Sequence, residues 1–268
     1  MVALDALLGA LQLEQVAPGC FRADSVRVGH SVVFGGQLLA QAVVAGALGH
    51  EGKTVKTVST VFARGASPEE PLDVHVQELQ RGRGFASSAV TISQGGSVCT
   101  SSLVLLSADE PDFIRHAAPP SALPAPPSSE ATGEWEHVLL ADIDDPSAVG
   151  PAELDVWTRF AGAPSDPVTG QALLAFATDF FLIGTAMRPH PGVGQSQAHV
   201  TVTTGVISHT LTFHEPFSAA DWLLLRHSSP YAGRGRSYGR ADVFRTDGQL
   251  VASFVQDSLI RSRAGAPT

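Results

Sequence analysis

The chain has 268 residues, of which 44% are hydrophobic and 16% charged. That apolar content excludes disorder over most of the length and allows one large domain or two small ones. Fifteen arginines and two lysines face 26 acids, a net charge of −9, which argues against a nucleic-acid or anionic-membrane binder, since either needs a basic excess.

Cys20 and Cys99 stand far apart and in no CxxC pattern. This excludes a disulfide framework or cysteine-rich zinc site and fits a reducing, cytoplasmic setting. No targeting segment is expected, because Met1–Val16 carries Asp5 and Glu14 and no basic residue. Ser31–His50 runs 20 residues without a formal charge, but Gln37, Gln41 and four glycines favour a buried helix over a membrane span.

In chain order, Cys20–Val28 reads as a strand and Phe34–Gly49 as a helix, with Leu38, Leu39, Ala42, Val43 and Ala47 at helical spacing. Lys56–Ala63, Leu72–Leu79, Phe85–Ser93 and Val98–Leu106 follow as strands, with Gly95-Gly96 as a hairpin turn. Eight of the 18 prolines fall between Pro111 and Pro151, a Pro/Ser/Ala connector with one short amphipathic helix expected around Glu134–Leu140. Beyond it, Asp155–Phe160 reads as a strand and Gly170–Met187 as one helix. Ala198–His214, Asp221–Leu225, Arg236–Arg245 and Leu250–Ile260 then read as strands, with a turn at Asp247-Gly248.

The two series match in order. An offset of 153 residues sets Phe85 on Tyr238, Gly95 on Gly248 and Val98 on Val251, and both helices open with Gly-Gln, at Gly36 and Gly170. Such an ordered series indicates an internal duplication. The expected class is α+β: two tandem hotdog repeats, each an apolar central helix wrapped by an antiparallel sheet. The expected division is an N-terminal hotdog over 1–110, a Pro-rich linker over 111–151 and a C-terminal hotdog over 152–268. Exposed sheet edges and outer faces make a homo-oligomer the expected state.

VVFGGQLLAQAV (Val32–Val43) and VSTVFARGASPEEPLDVHVQELQRGRGFASSAVTISQGG (Val58–Gly96) resemble the acyl-CoA thioesterase II family of double-hotdog thioesterases. ATDFFLIGTAMRPH (Ala177–His190), HTLTFHEPFSAADWLLL (His209–Leu225) and DGQLVASFVQDSLIR (Asp247–Arg261) extend the resemblance over nearly the whole chain. It implies hydrolysis of acyl-CoA to free acid and coenzyme A, with no cofactor or metal. The implied catalytic residues are an Asp, a Ser or Thr, and a Gln. The acid falls on Asp179 and the amide on Gln256, whereas the hydroxyl position carries Val206. On a regular strand Thr204 and Ser208 share the face of Val206, so either can return a hydroxyl to the site.

Asp179 interrupts an apolar run, where an acid either caps a loop, pairs with an arginine or acts as a general base. Gln256 interrupts a strand and can orient water or a carbonyl oxygen, or be a satisfied edge-strand amide. Gly35 and Gly36 open the first helix, where backbone N–H groups can hold an oxyanion, or where glycine permits tight entry of the helix. Arg234, Arg236 and Arg240 in GRGRSYGR (Gly233–Arg240) are a candidate site for coenzyme A phosphates, or a solvated face. No G-x-S-x-G elbow or H-E-x-x-H pattern supports a covalent or metal enzyme. A non-catalytic acyl- or CoA-binding protein is the alternative, and a hotdog hydratase ranks last.

Overall fold

The computed structural model of the chain describes residues 2–263 apart from positions 30, 118, 119, 129, 131 and 133. The first half runs α1 (Leu4–Ala10), β1 (Glu14–Ala17), β2 (Cys20–Ala23), α2 (Gly35–Ala47), β3 (Lys53–Phe62), β4 (Leu72–Arg81), β5 (Phe85–Gln94) and β6 (Ser97–Ala108). The second runs β7 (Trp135–Leu139), β8 (Glu153–Phe160), α3 (Pro167–Thr178), α4 (Leu182–Met187), β9 (Val202–Phe213), β10 (Leu223–Gly233), β11 (Arg236–Arg245) and β12 (Leu250–Ser262).

The described strands form one antiparallel sheet in the order β1-β2-β4-β5-β6-β3-β9-β12-β11-β10-β8-β7. Read from either edge inward, the two halves follow the same sequence of connections and meet where β3 pairs with β9. The hairpin glycines take the positive φ their turns require, 56° and 77° at Gly95 and Gly96 and 87° at Gly248.

A helix that is apolar all round must be buried on all sides. Ten of the 13 residues of α2 are buried, including Gln37 and Gln41; the Gln37 amide bonds the backbone of Asp24 and Val26, and Gln41 Nε2 donates to the carbonyls of Ala10 and Asp24. α2 packs on β3, β5 and β6 and against α3, while α4 packs on β10 and β11. One apolar core therefore runs through both halves. A second, smaller cluster of Trp157, Trp222, Leu224 and Phe244 is covered by Leu123 of the proline-rich segment.

Three expectations change. The segment expected to be a helix at Glu134–Leu140 is the edge strand β7, paired with β8. Its five residues fit either period by pattern alone. Cross-strand partners decide it: the Trp135 indole donates to Thr158 Oγ1 at 2.7 Å, and Glu136 pairs with Arg159 at 2.8 Å.

The single helix expected over Gly170–Met187 is two helices, interrupted at residues 179–181. Pro167–Met187 is long and apolar enough to cross a membrane, but 94% of its most apolar stretch lies inside the protein. Finally, β9 carries a bulge. Asp257 faces Ser208 but Ser258 faces Val206, leaving Ile207 unopposed.

The start of α3 is set locally. Asp166 caps it by accepting the Thr169 N–H at 2.8 Å, and Pro167 occupies the first turn. Asp166→Ala is expected to lower the unfolding free energy by about 1 kcal/mol, measured by chemical denaturation.

Candidate active site

α2 and α3 cross tightly where the N-terminus of one meets the C-terminus of the other. A Cβ on Gly36 would lie 2.3 Å from the carbonyl oxygen of Phe176, and one on Gly35 would lie 2.6 Å from Asp179 Oδ2. The backbone contact admits only glycine at 36, and a side chain at 35 would displace the Asp179 carboxylate. The glycine pair therefore permits the close crossing, and it also presents a helix N-terminus to an acid.

Asp179 caps the C-terminal end of α3 at the break, with 6% of its surface exposed. Burial pushes its pKa up to about 8, opposed by the Gly36 N–H that donates to the carboxylate. Its Oδ1 is buried with no partner among the described residues, which further disfavours the charged form. The acid therefore largely keeps its proton at neutral pH.

Asp179 opens onto a cavity of about 420 Å³ between the two halves. Gly35, Phe62 and Arg64 wall it from the first half, and Phe180, Thr204 and Val206 from the second. Phe34 packs edge-on against Phe176 and Phe180 with ring centroids 5.1 and 5.7 Å apart. The walls suit an apolar chain leading to one acid.

The bulge in β9 decides which hydroxyl reaches this cavity. With Ile207 unopposed, the strand's alternation resets. Thr204 and Val206 point inward before the bulge, and His209 and Leu211 after it. Ser208 turns to the outer face, where its hydroxyl donates to Asp257 at 3.0 Å. The expectation that Ser208 joins the catalytic group is therefore corrected. Thr204, 8% exposed, is on the cavity wall.

Gln256 is buried directly across from His209 but does not line the cavity. Its Oε1 is 3.1 Å from His209 Nδ1, and its Nε2 donates to Ser258 Oγ at 2.9 Å. His209 Nε2 lies 3.1 Å from Thr178 Oγ1, and that hydroxyl lies 2.8 Å from the Ala175 carbonyl oxygen. Burial lowers the His209 pKa to about 4, so the ring is neutral at pH 7. Gln256 therefore reaches the end of α3, one residue before Asp179, through a buried histidine.

Arg234 and Arg236 are not brought to this cavity. Arg234 sits in the β10–β11 turn at φ 54°, Arg236 begins β11, and both are exposed. Two residues that sequence reading did not single out stand at the site instead. Arg64 lies in the R-P-G-like turn of ARGAS, and His209 opens HTLTFH. The turn position and the histidine five residues before a second histidine were the available signals.

The fold and site define a hotdog protein with an acid buried between its two halves. A solved protein with hotdog fold from Alicyclobacillus acidocaldarius is 17% identical over 97% of this chain and 99% of its own, with a TM-score of 0.75. Residues 22–107 match the acyl-CoA thioesterase N-terminal domain and residues 113–260 the acyl-CoA thioesterase C-terminal domain. The chain belongs to the acyl-CoA thioesterase family.

It is 29% identical to acyl-CoA thioesterase 2 of Haemophilus influenzae over 96% of this chain and 98% of that protein. It is also similar to the tesB protein of Mycobacterium avium subs paratuberculosis, with a TM-score of 0.84 and 25% identity over 97% of this chain and all of the other. Acyl-CoA thioesterase II TesB2 from Mycobacterium marinum gives 0.80 and 25% over 98% and 100%.

The raised pKa of Asp179 couples folding to pH. The native acid keeps its proton up to about pH 8, whereas an unfolded chain releases it near ~4. Between those values the native state binds the extra proton, so this group's contribution lowers stability as pH rises. Asp179→Asn removes that contribution. Denaturation series from pH 5 to pH 8 (~5–8, the span of the shift) are expected to show a less negative slope in the variant, and an identical slope would contradict a buried, protonated acid.

Proposed function

We propose that the chain hydrolyses acyl-CoA thioesters to the free acid and coenzyme A, with Asp179 as general base. What carries this reading is one buried acid, held by the N-terminus of α2 and opening onto an apolar-walled cavity, in a member of this family. The two halves are read as tandem hotdog repeats, 1–110 and 152–268, joined by 111–151. In support, their strand orders are β2-β4-β5-β6-β3 and β8-β10-β11-β12-β9.

In its ionised form Asp179 takes a proton from water as the water oxygen bonds to the thioester carbonyl carbon. The tetrahedral intermediate then collapses with cleavage of the C–S bond. The leaving thiolate receives the proton that Asp179 took, and the base is regenerated. Thr204 holds the water, and the positive end of the α2 dipole favours the charge developing on the carbonyl oxygen. Gln256 acts as a positioning residue, fixing Thr178 and the end of α3 through His209.

A thiol-release assay over a panel of acyl-CoA chain lengths tests this. Asp179→Ala is expected to cut kcat by about 10²–10⁴-fold, and full turnover in that variant would remove the mechanism. In the wild type kcat/KM is expected to rise with pH through the Asp179 value of about 8, because only the ionised acid accepts a proton. Thr204→Val is expected to lower kcat by about 10-fold, the scale of one hydrogen bond.

The second reading, an acyl- or CoA-binding protein without catalysis, is favoured by Val206 standing at the hydroxyl position that the family resemblance implies. Tight acyl-CoA binding without thiol release distinguishes it.

A further inference from the structure

Most arginines in this acidic protein already have partners. Among the described residues, seven form ion pairs with carboxylates, from Arg22 to Arg245. Arg188 and Arg263 donate to backbone carbonyls. Arg64 belongs to neither group. Its side chain is exposed and lines the Asp179 cavity.

The backbone beneath Arg64 is fixed. The N–H groups of Ala63 and Arg64 both donate to Cys99 O, at 2.8 and 3.3 Å, and Val33 N–H donates to Ala66 O at 2.8 Å. Gly65 permits the close approach of Val32, which would lie 2.9 Å from a Cβ placed there. The cavity therefore has a guanidinium projecting from a rigid loop.

The second half repeats this backbone arrangement with the opposite charge. His214 and Glu215 N–H both donate to Val251 O, at 2.8 and 3.4 Å, which sets Glu215 in the place of Arg64. Glu215 pairs with Arg115 at 2.9 Å. The alignment that sets Gly36-Gln37 on Gly170-Gln171 also sets Ala45 on Asp179. The loop thus tolerates either sign, and the cation occurs on the cavity that holds the acid. Folding alone does not call for arginine at 64.

We infer that Arg64 is the phosphate anchor of this cavity, taking phosphate oxygens of the coenzyme A portion while the thioester lies at Asp179. The inference rests on the thioesterase reading and deepens it. Phe62 is two residues before Arg64, and its ring would lie 3.1 Å from a Cβ on Gly35, the same point that is 2.6 Å from Asp179 Oδ2. Base and anchor thus line the same cavity from the two halves, with Arg64 at most ~7 Å further along the chain than Phe62. A guanidinium fork matches phosphate geometry, and in a protein of net charge −9 an anionic substrate needs a local cation.

The test compares acyl-CoA with the same acyl group on pantetheine, which has no phosphate. Arg64→Ala is expected to raise KM for acyl-CoA by about 10- to 100-fold, the range of a charge-assisted bond, while kcat and the acyl-pantetheine kinetics stay unchanged. Arg64→Lys should recover part of the loss. Raised salt should weaken the wild type more than the alanine variant. Equal loss on both substrates, or none on acyl-CoA, overturns the anchor.

Calorimetric binding of coenzyme A itself separates this inference from the catalytic reading. Weaker binding by Arg64→Ala supports the anchor even if the wild type releases no thiol. Equal binding by both proteins, or none by the wild type, overturns it.

Discussion

Placing a carboxylate at the crossing of two buried helices imposes conditions on residues far apart in the chain. The Phe176 carbonyl lies so close to Gly36 that a side chain there would collide with α3, and one at Gly35 would displace the Asp179 carboxylate. Only an N-terminus can face the acid favourably at that point, because its N–H groups and dipole are complementary to negative charge. The interruption after Thr178 frees Asp179 from a continuous helix and lets α4 continue beneath β10 and β11. One helix comes from each half, so the site exists only when both are folded together.

The same burial sets the chemistry. Loss of hydration holds Asp179 near neutrality, while the single Gly36 N–H keeps ionisation within reach. Around it, the sheet sorts polar groups by face. The unopposed Ile207 sends Ser208 outward and leaves Thr204 and His209 inward, a change of one residue's register with consequences for every hydroxyl on β9. Gln256 then finds its partner in His209 rather than in the cavity. The buried polar line from Ser258 through Gln256 and His209 to Thr178 ties β12 to the end of α3.

The halves share a plan of strands but not of charge. Arg64 and Glu215 stand on matching backbone arrangements, one at the cavity and the other in an ion pair with Arg115. The duplicated strand order supplies two similar frames. Differences at a few positions put the acid on the second half, Asp179 against Ala45, and the cation on the first, Arg64 against Glu215, both lining one cavity.

The hairpins at Gly95-Gly96 and Asp247-Gly248, the strands around them and the burial of α2 were legible from the sequence, because turn chemistry and apolar periodicity act locally. Asp179 stood out for the same reason, as an acid in an apolar run. The family resemblance drew attention to Gln256 but left its partner open.

Three things were set by contacts between distant residues: strand β7 at Glu134–Leu140, the helix break at Asp179 and the outward turn of Ser208. β7 depends on pairing with β8, and the outward turn on a bulge that exists only opposite β12. Charge followed the same rule: GRGRSYGR is a visible cluster in the sequence, yet Arg64 is the arginine that lines the Asp179 cavity. Composition and spacing thus determined which elements form and which acid is unusual. Tertiary packing decided which faces and charges meet it, because strand register and helix crossing depend on partners outside the local stretch of chain.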